Sequence, residues 1–332
     1  MTVKITIIGL GQVGASLGLA LSAHKDKVTT TGHDKELNIE KQAKKNGVVD
    51  ETNHNLPSSV ANADLVILAL PVSEVRETLE HISKDLKENS VVVDMSPIKT
   101  EVAKWAKELL PENVHFVGLI PETGPEYLDE VNSGLDSAKA DLFSRSVFLL
   151  SVPSGTPGRA VDLVTAVVNL AGAQVMITDF IESDGLATTA HLLPQLISSA
   201  LVRSTTGQPG WFEARKTAGR AYFRATSAAN GHDPAEALAM LAIHNKDAVV
   251  HKLNSVIQSL VEIRDDIENG QEDSLTERLQ TSQNERKTWL RERIQGEWSE
   301  EEVMTLDKTT ITDRLFGGGF LSFNRANDKK GK

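Results

Sequence analysis

The chain contains no cysteine, which removes disulfides, thiolate metal sites and cysteine nucleophiles together. It also lacks a basic surplus. Lys and Arg total 35 against 46 Asp and Glu, a formal charge of −11, whereas a duplex nucleic-acid binder needs a basic face to displace counterions. No apolar run reaches the roughly 18 residues of a membrane span. Residues 1–10, with Lys4 as their one lysine, run straight into a buried-strand pattern; a charged n-region, an apolar h-region and a cleavage site do not follow one another. Nine histidines are scattered without a His-x3-His pair, so no metal site is expected. What these absences leave is an acidic, cytoplasmic protein with no nucleic-acid or membrane partner. Its 332 residues suffice for two domains at roughly 150 residues each.

What is present is an alternation of strand and helix patterns. Short β-branched or apolar runs at 3–8, 27–31, 64–70, 91–94, 115–119, 147–152 and 173–177 read as strands, and 35–46, 73–86, 99–109 and 157–170 as helices. Helical crossovers of this length join parallel strands, so residues 1–180 are expected to form a doubly wound, Rossmann-type α/β sheet. After Asp179 the strand signals stop. Residues 183–206, interrupted by Pro194, and then 234–269 and 273–295 carry helical periodicity. Arginine usage shifts at the same place: only Arg76 and Arg145 precede residue 150, and nine of the fourteen arginines lie between 203 and 293. The expectation is an all-helical domain over 181–300, then a tail or docking arm over 301–332.

Gly9-Leu10-Gly11-Gln12-Val13-Gly14 is a G-x-G-x-x-G string that follows a strand and opens a helix. Gly9 permits the turn, Gly11 lets a pyrophosphate approach the backbone, and Gly14 allows close helix–strand contact, with the helix N-terminus facing the phosphates. Asp34 ends the next strand 20 residues beyond Gly14, where a carboxylate accepts hydrogen bonds from the adenosine ribose and repels a 2′-phosphate. The cofactor expected is NAD; His33 and Lys35, flanking Asp34, keep NADP open. Leu70, Pro71 and Val72 close the third strand at the sheet edge where such cofactors bind. Ser96 fits two readings, an N-cap with Glu101 in the first turn or a hydroxyl beside the nicotinamide and substrate; Lys99 would add charge to the same cleft. Glu122 and Glu126, after the fifth strand, are candidate acid–base groups or solvated loop carboxylates. Arg215, Lys216, Arg220 and Arg224 fall within ten residues. Arg220 and Arg224 share a helix face and suit a carboxylate clamp, the alternative being a solvated stripe. His191, near Pro194, is a buried histidine or a cleft-facing one.

Together these residues resemble the prephenate/arogenate dehydrogenase family over about 1–300: 9–18 with Ser16-Leu17-Gly18, Asp34, 63–72, 94–99, 116–124, 191–201 and 222–233. The resemblance implies a dinucleotide-binding domain, a helical domain that forms a homodimer, and oxidative decarboxylation of an anionic cyclohexadienyl substrate on the tyrosine biosynthesis route. Such chemistry needs a hydride acceptor, a proton acceptor near the substrate hydroxyl, and cations for two carboxylates. It maps the family's serine onto Ser96 and its carboxylate-binding arginine onto Arg224, with Lys99, Gln195 and Arg220 beside the substrate. The family's histidine before the loop proline is Ile120 here, ahead of Pro121, and Gln195 stands where another histidine is common, with His191 one residue out of place. His191, Glu122 or a Ser96-held water are the candidate proton acceptors. Ile120 keeps two further readings open: a hydride-transfer enzyme of the β-hydroxyacid dehydrogenase or imine reductase type, and a non-catalytic NAD-binding regulator.

Overall fold

The computed structural model describes residues 2–130, 132–231 and 233–296; the expected tail at 301–332 lies outside the described residues. The chain divides into two compact units, the first ending at Ser183 and the second starting at Asp184.

The first unit is an eight-stranded sheet: β1 (Val3–Ile8), β2 (Val28–His33), β3 (Glu51–Thr52), β4 (Leu65–Leu68), β5 (Val91–Asp94), β6 (His115–Ile120), β7 (Val147–Ser151) and β8 (Gln174–Ile177). The helices between them are α1 (Gln12–Ser22), α2 (Leu37–Lys45), α3 (Leu56–Val60), α4 (Val72–Ile82), α5 (Thr100–Leu109) and α6 (Gly158–Leu170). The strand order is β3-β2-β1-β4-β5-β6-β7-β8. All pairings are parallel except β6 with β7, because among the described residues the connection over 121–146 has no crossover helix, only two short 3-10 turns. The two-residue β3 carries too little pattern to be seen in the sequence. All four residues of β4 and of β5 are buried, as strands covered on both faces must be, which explains the apolar runs 65–68 and 91–93. Each fully buried Val, Ile or Leu contributes about 1.5–3 kcal/mol.

The order reverses between β1 and β4, and in open α/β sheets that switch point is where a crevice opens at the carboxyl edge. The turn after β1 and the segment 69–71 after β4 both lie there.

The second unit is helical. α7 (Phe180–Ala187) straddles the division; α8 (Leu193–Thr206), α9 (Trp211–Ala214), α10 (Arg220–Thr226), α11 (Ala235–His244), α12 (Lys246–Glu268) and α13 (Glu272–Gln295) follow. A π-helical turn, Thr188–Leu192, joins α7 to α8. Pro194 sits in the first turn of α8, where its missing N–H is tolerated; the interruption in the pattern is thus a change of helix type. α12 and α13 form a hairpin. The buried Asp266 accepts from the Ser274 hydroxyl (3.0 Å) and Arg278 Nε (3.0 Å), and the second arm of Arg278 reaches Glu262 at 2.6 Å. Among the described residues no helix is long and apolar enough to cross a membrane.

Candidate active site

Gly9 has φ +92°, a left-handed turn, and a Cβ there would lie 2.3 Å from the Ala69 carbonyl oxygen. At Gly14 a Cβ would lie 2.0 Å from the Gly9 carbonyl oxygen. Both positions are closed to any side chain. Gly11 is the contrast: nothing stands within 4 Å of its would-be Cβ. It caps α1 without a side-chain hydrogen bond, and the first turn of α1 holds no carboxylate. The positive end of the helix, with no acid in its own first turn, thus faces a backbone that a ligand can touch, which fits a pyrophosphate. Leu10 and Val13 complete the loop. The Gln12 side chain is committed elsewhere, its amide donating to the Ser137 carbonyl at 3.4 Å, while Ser16 accepts from the Lys139 N–H at 3.0 Å. These two contacts fasten the 121–146 connection onto α1.

Asp34 follows β2. Its two carboxylate oxygens accept from the Leu10 N–H (2.8 Å) and the Glu36 N–H (2.9 Å), so the glycine turn and the acid are locked together. Each oxygen keeps a lone pair for a ribose hydroxyl. The two flanking side chains are engaged elsewhere. The Lys35 ammonium bonds Glu74 at 2.7 Å, a contact that pushes its pKa up. The His33 ring lies 3.0 Å from the Asn53 carbonyl oxygen and 3.4 Å from Glu40. Leu70, whose Cδ2 stands 3.0 Å from the would-be Cβ of Gly9, and Pro71 are half-buried at the rim. Val72 differs: it is 1% exposed, a core residue at the start of α4.

The segment after β5 is where structure and sequence reading part. Ser96 does not cap α5, which starts at Thr100 without a side-chain cap. Its hydroxyl instead donates to Asp94 Oδ2 at 2.8 Å, and its N–H to Oδ1 at 3.2 Å. Lys99 is not a cleft-surface cation. It is 0% exposed, and its ammonium donates to the Asp94 carbonyl at 2.8 Å and to the Asp94 carboxylate. Burial pushes the Asp94 carboxyl up, against the pull of Lys99 and Ser96 toward its charged form. The Lys99 stem crosses β6 at Gly118, where a Cβ would lie 2.6 Å from Lys99 Cδ and 2.9 Å from Ser151 Oγ. Gly118 is the register partner of both Asp94 and Ser151. Asp94 and Gly118 escaped the sequence reading as site residues. The available signal was an acid ending an apolar strand, with a lysine five residues on.

Ile120 ends β6 and is 2% exposed. Beyond Pro121, Glu122 is half-buried, whereas Glu126 is exposed and paired with Arg145, a surface ion pair rather than an acid–base group. Tyr127 donates to Asp141 at 2.6 Å, which pushes its hydroxyl up to about 12.

In the second unit, α10 docks on α8. The Tyr222 hydroxyl meets Thr205 Oγ1 at 2.8 Å, and Ser198 donates to the Ala225 carbonyl at 2.8 Å. Arg220 and Arg224 fall on the opposite face of α10, both exposed, and among the described residues neither has an acidic partner. Arg215 and Lys216 separate from them, both lying over the Phe212 ring at 4.4 and 4.5 Å. Two forked cations one turn apart can grip a carboxylate. His191 lies in the π-helical turn, a feature that often marks functional sites. Gln195 donates to the His191 carbonyl at 3.1 Å, and Gly231 makes room for it, since a Cβ there would lie 2.3 Å from Gln195 Oε1. Asn245 bonds the Asp184 carbonyl and Thr188 across the same turn.

Comparison with known proteins gives two family models in order along the chain. The prephenate dehydrogenase nucleotide-binding domain matches residues 17–177, and the prephenate dehydrogenase dimerization domain matches 182–281. The chain is 25% identical to the prephenate dehydrogenase of Bacillus subtilis over 283 residues, covering 85% of this chain and 75% of that one. It is 26% identical to the cyclohexadienyl dehydrogenase of Zymomonas mobilis over 290 residues, 85% and 94% of the two chains. The fold is that of the prephenate dehydrogenase of Aquifex aeolicus, solved with hydroxyphenyl propionate and NAD+: TM-score 0.76 at 23% identity, over 87% of this chain and 98% of that one. With the nucleotide cradle in the first unit and both halves matched in sequence order, the chain belongs to the prephenate dehydrogenase family.

Proposed function

We propose that the protein is an NAD-dependent dehydrogenase that oxidatively decarboxylates a cyclohexadienyl carboxylate, prephenate or its amino counterpart arogenate, in the cytoplasm. The observation that carries the reading is the ordered match of both family domains, over 17–177 and 182–281, which takes in Asp34, Leu70, Pro71, Ser96 and the Arg220–Arg224 face. NAD+, when bound, supplies the hydride acceptor. Gly9, Gly11, Gly14 and the start of α1 would hold its pyrophosphate, Leu10, Gln12 and Val13 would contribute backbone to the same loop, and Leu70 and Pro71 would line its rim. Asp34 would take the ribose hydroxyls. Preference for NAD over NADP follows from the same geometry: Asp34 would repel a 2′-phosphate, the neighbouring Lys35 ammonium is held by Glu74, and the His33 ring is engaged by Asn53 and Glu40.

Ser96, Arg220 and Arg224 would serve the substrate. Because the Ser96 hydroxyl gives its proton to Asp94, its oxygen is oriented to accept, and so to hold the substrate hydroxyl or a water. Arg224, with Arg220, would bind a carboxylate and fix the ring against departure of the other as carbon dioxide. Ile120 can neither accept nor donate a proton, so the acceptor lies elsewhere, with Ser96-held water, Glu122 and His191 as the groups to test. Gln195 would orient His191 through the turn it caps. A homodimer through the second unit is supported by α12, which exposes Val250, Ile257, Leu260 and Ile267 in a seven–three–seven spacing, an apolar seam suited to a partner helix.

The test is NADH and carbon dioxide formation with prephenate and with arogenate, using NAD+ and NADP+, on wild type, Arg224→Ala and Ile120→His. Turnover of one of the two with NAD+, weakened in Arg224→Ala, supports the reading; no turnover of either overturns it.

A further inference from the structure

We propose that His33, Glu40 and His54 form a binding site for one divalent cation of the zinc class, separate from the dehydrogenase chemistry. The three residues come from the end of β2, from α2 and from the loop after β3. Glu40 Oε1 lies 3.4 Å from His33 Nδ1 and 3.2 Å from His54 Nδ1, and the three ligand atoms lie within 4.8 Å of one another. A tetrahedral zinc ion with bonds of about 2.0–2.1 Å spaces its ligand atoms about 3.3 Å apart. Two edges of that tetrahedron are thus already at the required length, and rotation of the outermost ring sets the third.

Burial makes the same case. Glu40 is only 2% exposed, and among the described residues no lysine or arginine pairs with it. Its partners are the two imidazoles and the Asp34 N–H at 3.0 Å. Buried carboxylates are normally paired with a cation or bound to a metal; here the groups at hand are metal ligands. The His33 side chain is nearly buried and the His54 side chain half exposed, so one ligand opens the site to water. Two imidazoles and one carboxylate, with no thiolate, are a zinc-type set that leaves the fourth position to water. One supporting contact is in place, the Asp34 N–H that orients Glu40; the Asn53 carbonyl lies 3.0 Å from His33 Nδ1, so the cation would displace the proton shared there. Bound there, the ion would clamp three chain segments together.

The untagged protein, stripped with a chelator, is dialysed against Zn2+ and titrated with Co2+. The expected result is one saturable Zn2+ per chain, the visible absorption of four-coordinate Co2+, and a Tm that rises with Zn2+. In His54→Ala, at an exposed position that leaves the fold intact, Zn2+ affinity falls at least tenfold and the Tm rise disappears. Glu40→Gln behaves likewise, and His81→Ala, which removes an exposed histidine on α4, binds as wild type. Absence of saturable binding to wild type, or unchanged binding in His54→Ala, overturns the proposal. None of these readouts uses turnover, so the outcome is independent of the dehydrogenase reading.

Discussion

Lys99→Met keeps most of the lysine stem and deletes the ammonium, leaving the Asp94 carboxylate buried without its cation. Removing one partner of a buried ion pair costs about 3–5 kcal/mol. The Asp94 carbonyl, which accepts from the same ammonium at 2.8 Å, loses a donor as well. At about 2–4 °C per kcal/mol for a unit of this size, the Tm of the first unit falls by about 6–20 °C. Calorimetry measures it, the relevant transition being the one that NAD+ raises. The deficit also depends on pH. Burial raises the folded Asp94 pKa above its ordinary 3.8, and loss of Lys99 raises it further. A carboxyl so shifted costs nothing while protonated, below its unfolded pKa, and destabilises increasingly as pH rises through the folded one. The Lys99→Met penalty therefore grows from pH 4 to pH 7. Adding Asp94→Asn removes the stranded charge and recovers part of the loss, a coupling of about 1–3 kcal/mol in the double-mutant cycle. A Lys99→Met stability within about 0.5 kcal/mol of wild type, or strictly additive variants, would refute the argument.

Three further outcomes are expected. Asp34→Asn removes a charged acceptor from the ribose edge and loosens the Leu10 N–H contact, so the Kd for NAD+ by fluorescence titration rises about 10–100-fold, as for the loss of a charged hydrogen bond worth about 1.5–3 kcal/mol. Arg224→Ala raises KM for the anionic substrate about tenfold or more in steady-state kinetics, and Arg220→Ala adds less than its own single effect if the two guanidinium groups share one carboxylate. Burial, aided by the nearby Arg159 charge, holds the His115 pKa below 6.5. The unfolded chain then takes up the proton first, and stability present above pH 6.5 is lost as pH falls through the folded value; His115→Gln should flatten the Tm–pH profile between pH 7 and 5.

The parts legible in the sequence are those governed by local rules. A β-branched run ending in Gly9, a glycine with open space at Gly11 and a carboxylate at Asp34 sit in consecutive segments, and period and spacing report them directly. The doubly wound order follows from the crossover helices, and fails only at β7, where no helix intervenes and the strand pairs antiparallel. Side-chain direction is the part that local pattern misses. Lys99 reads as a cleft cation because lysines are usually wet, yet the gap above Gly118 and the carboxylate of Asp94 draw it inside. Ser96 fits a helix cap or a cleft hydroxyl in the sequence because it precedes a helix, but α5 starts only at Thr100, and the hydroxyl turns to the buried acid two residues earlier. His33, Glu40 and His54 are seven and fourteen residues apart, a spacing that belongs to no helix face; only the corner joining β2, α2 and the loop after β3 assembles them.

The lane above Gly118 also bears on how this chain can drift. Any side chain at 118 would evict the lysine, an evicted lysine would strand the acid at 94, and a neutral residue at 94 would take a carboxylate away from a buried ammonium. Substitutions at 94, 99 and 118 are therefore coupled in their effect on stability: a change at one alone carries a cost that a matching change at another recovers in part.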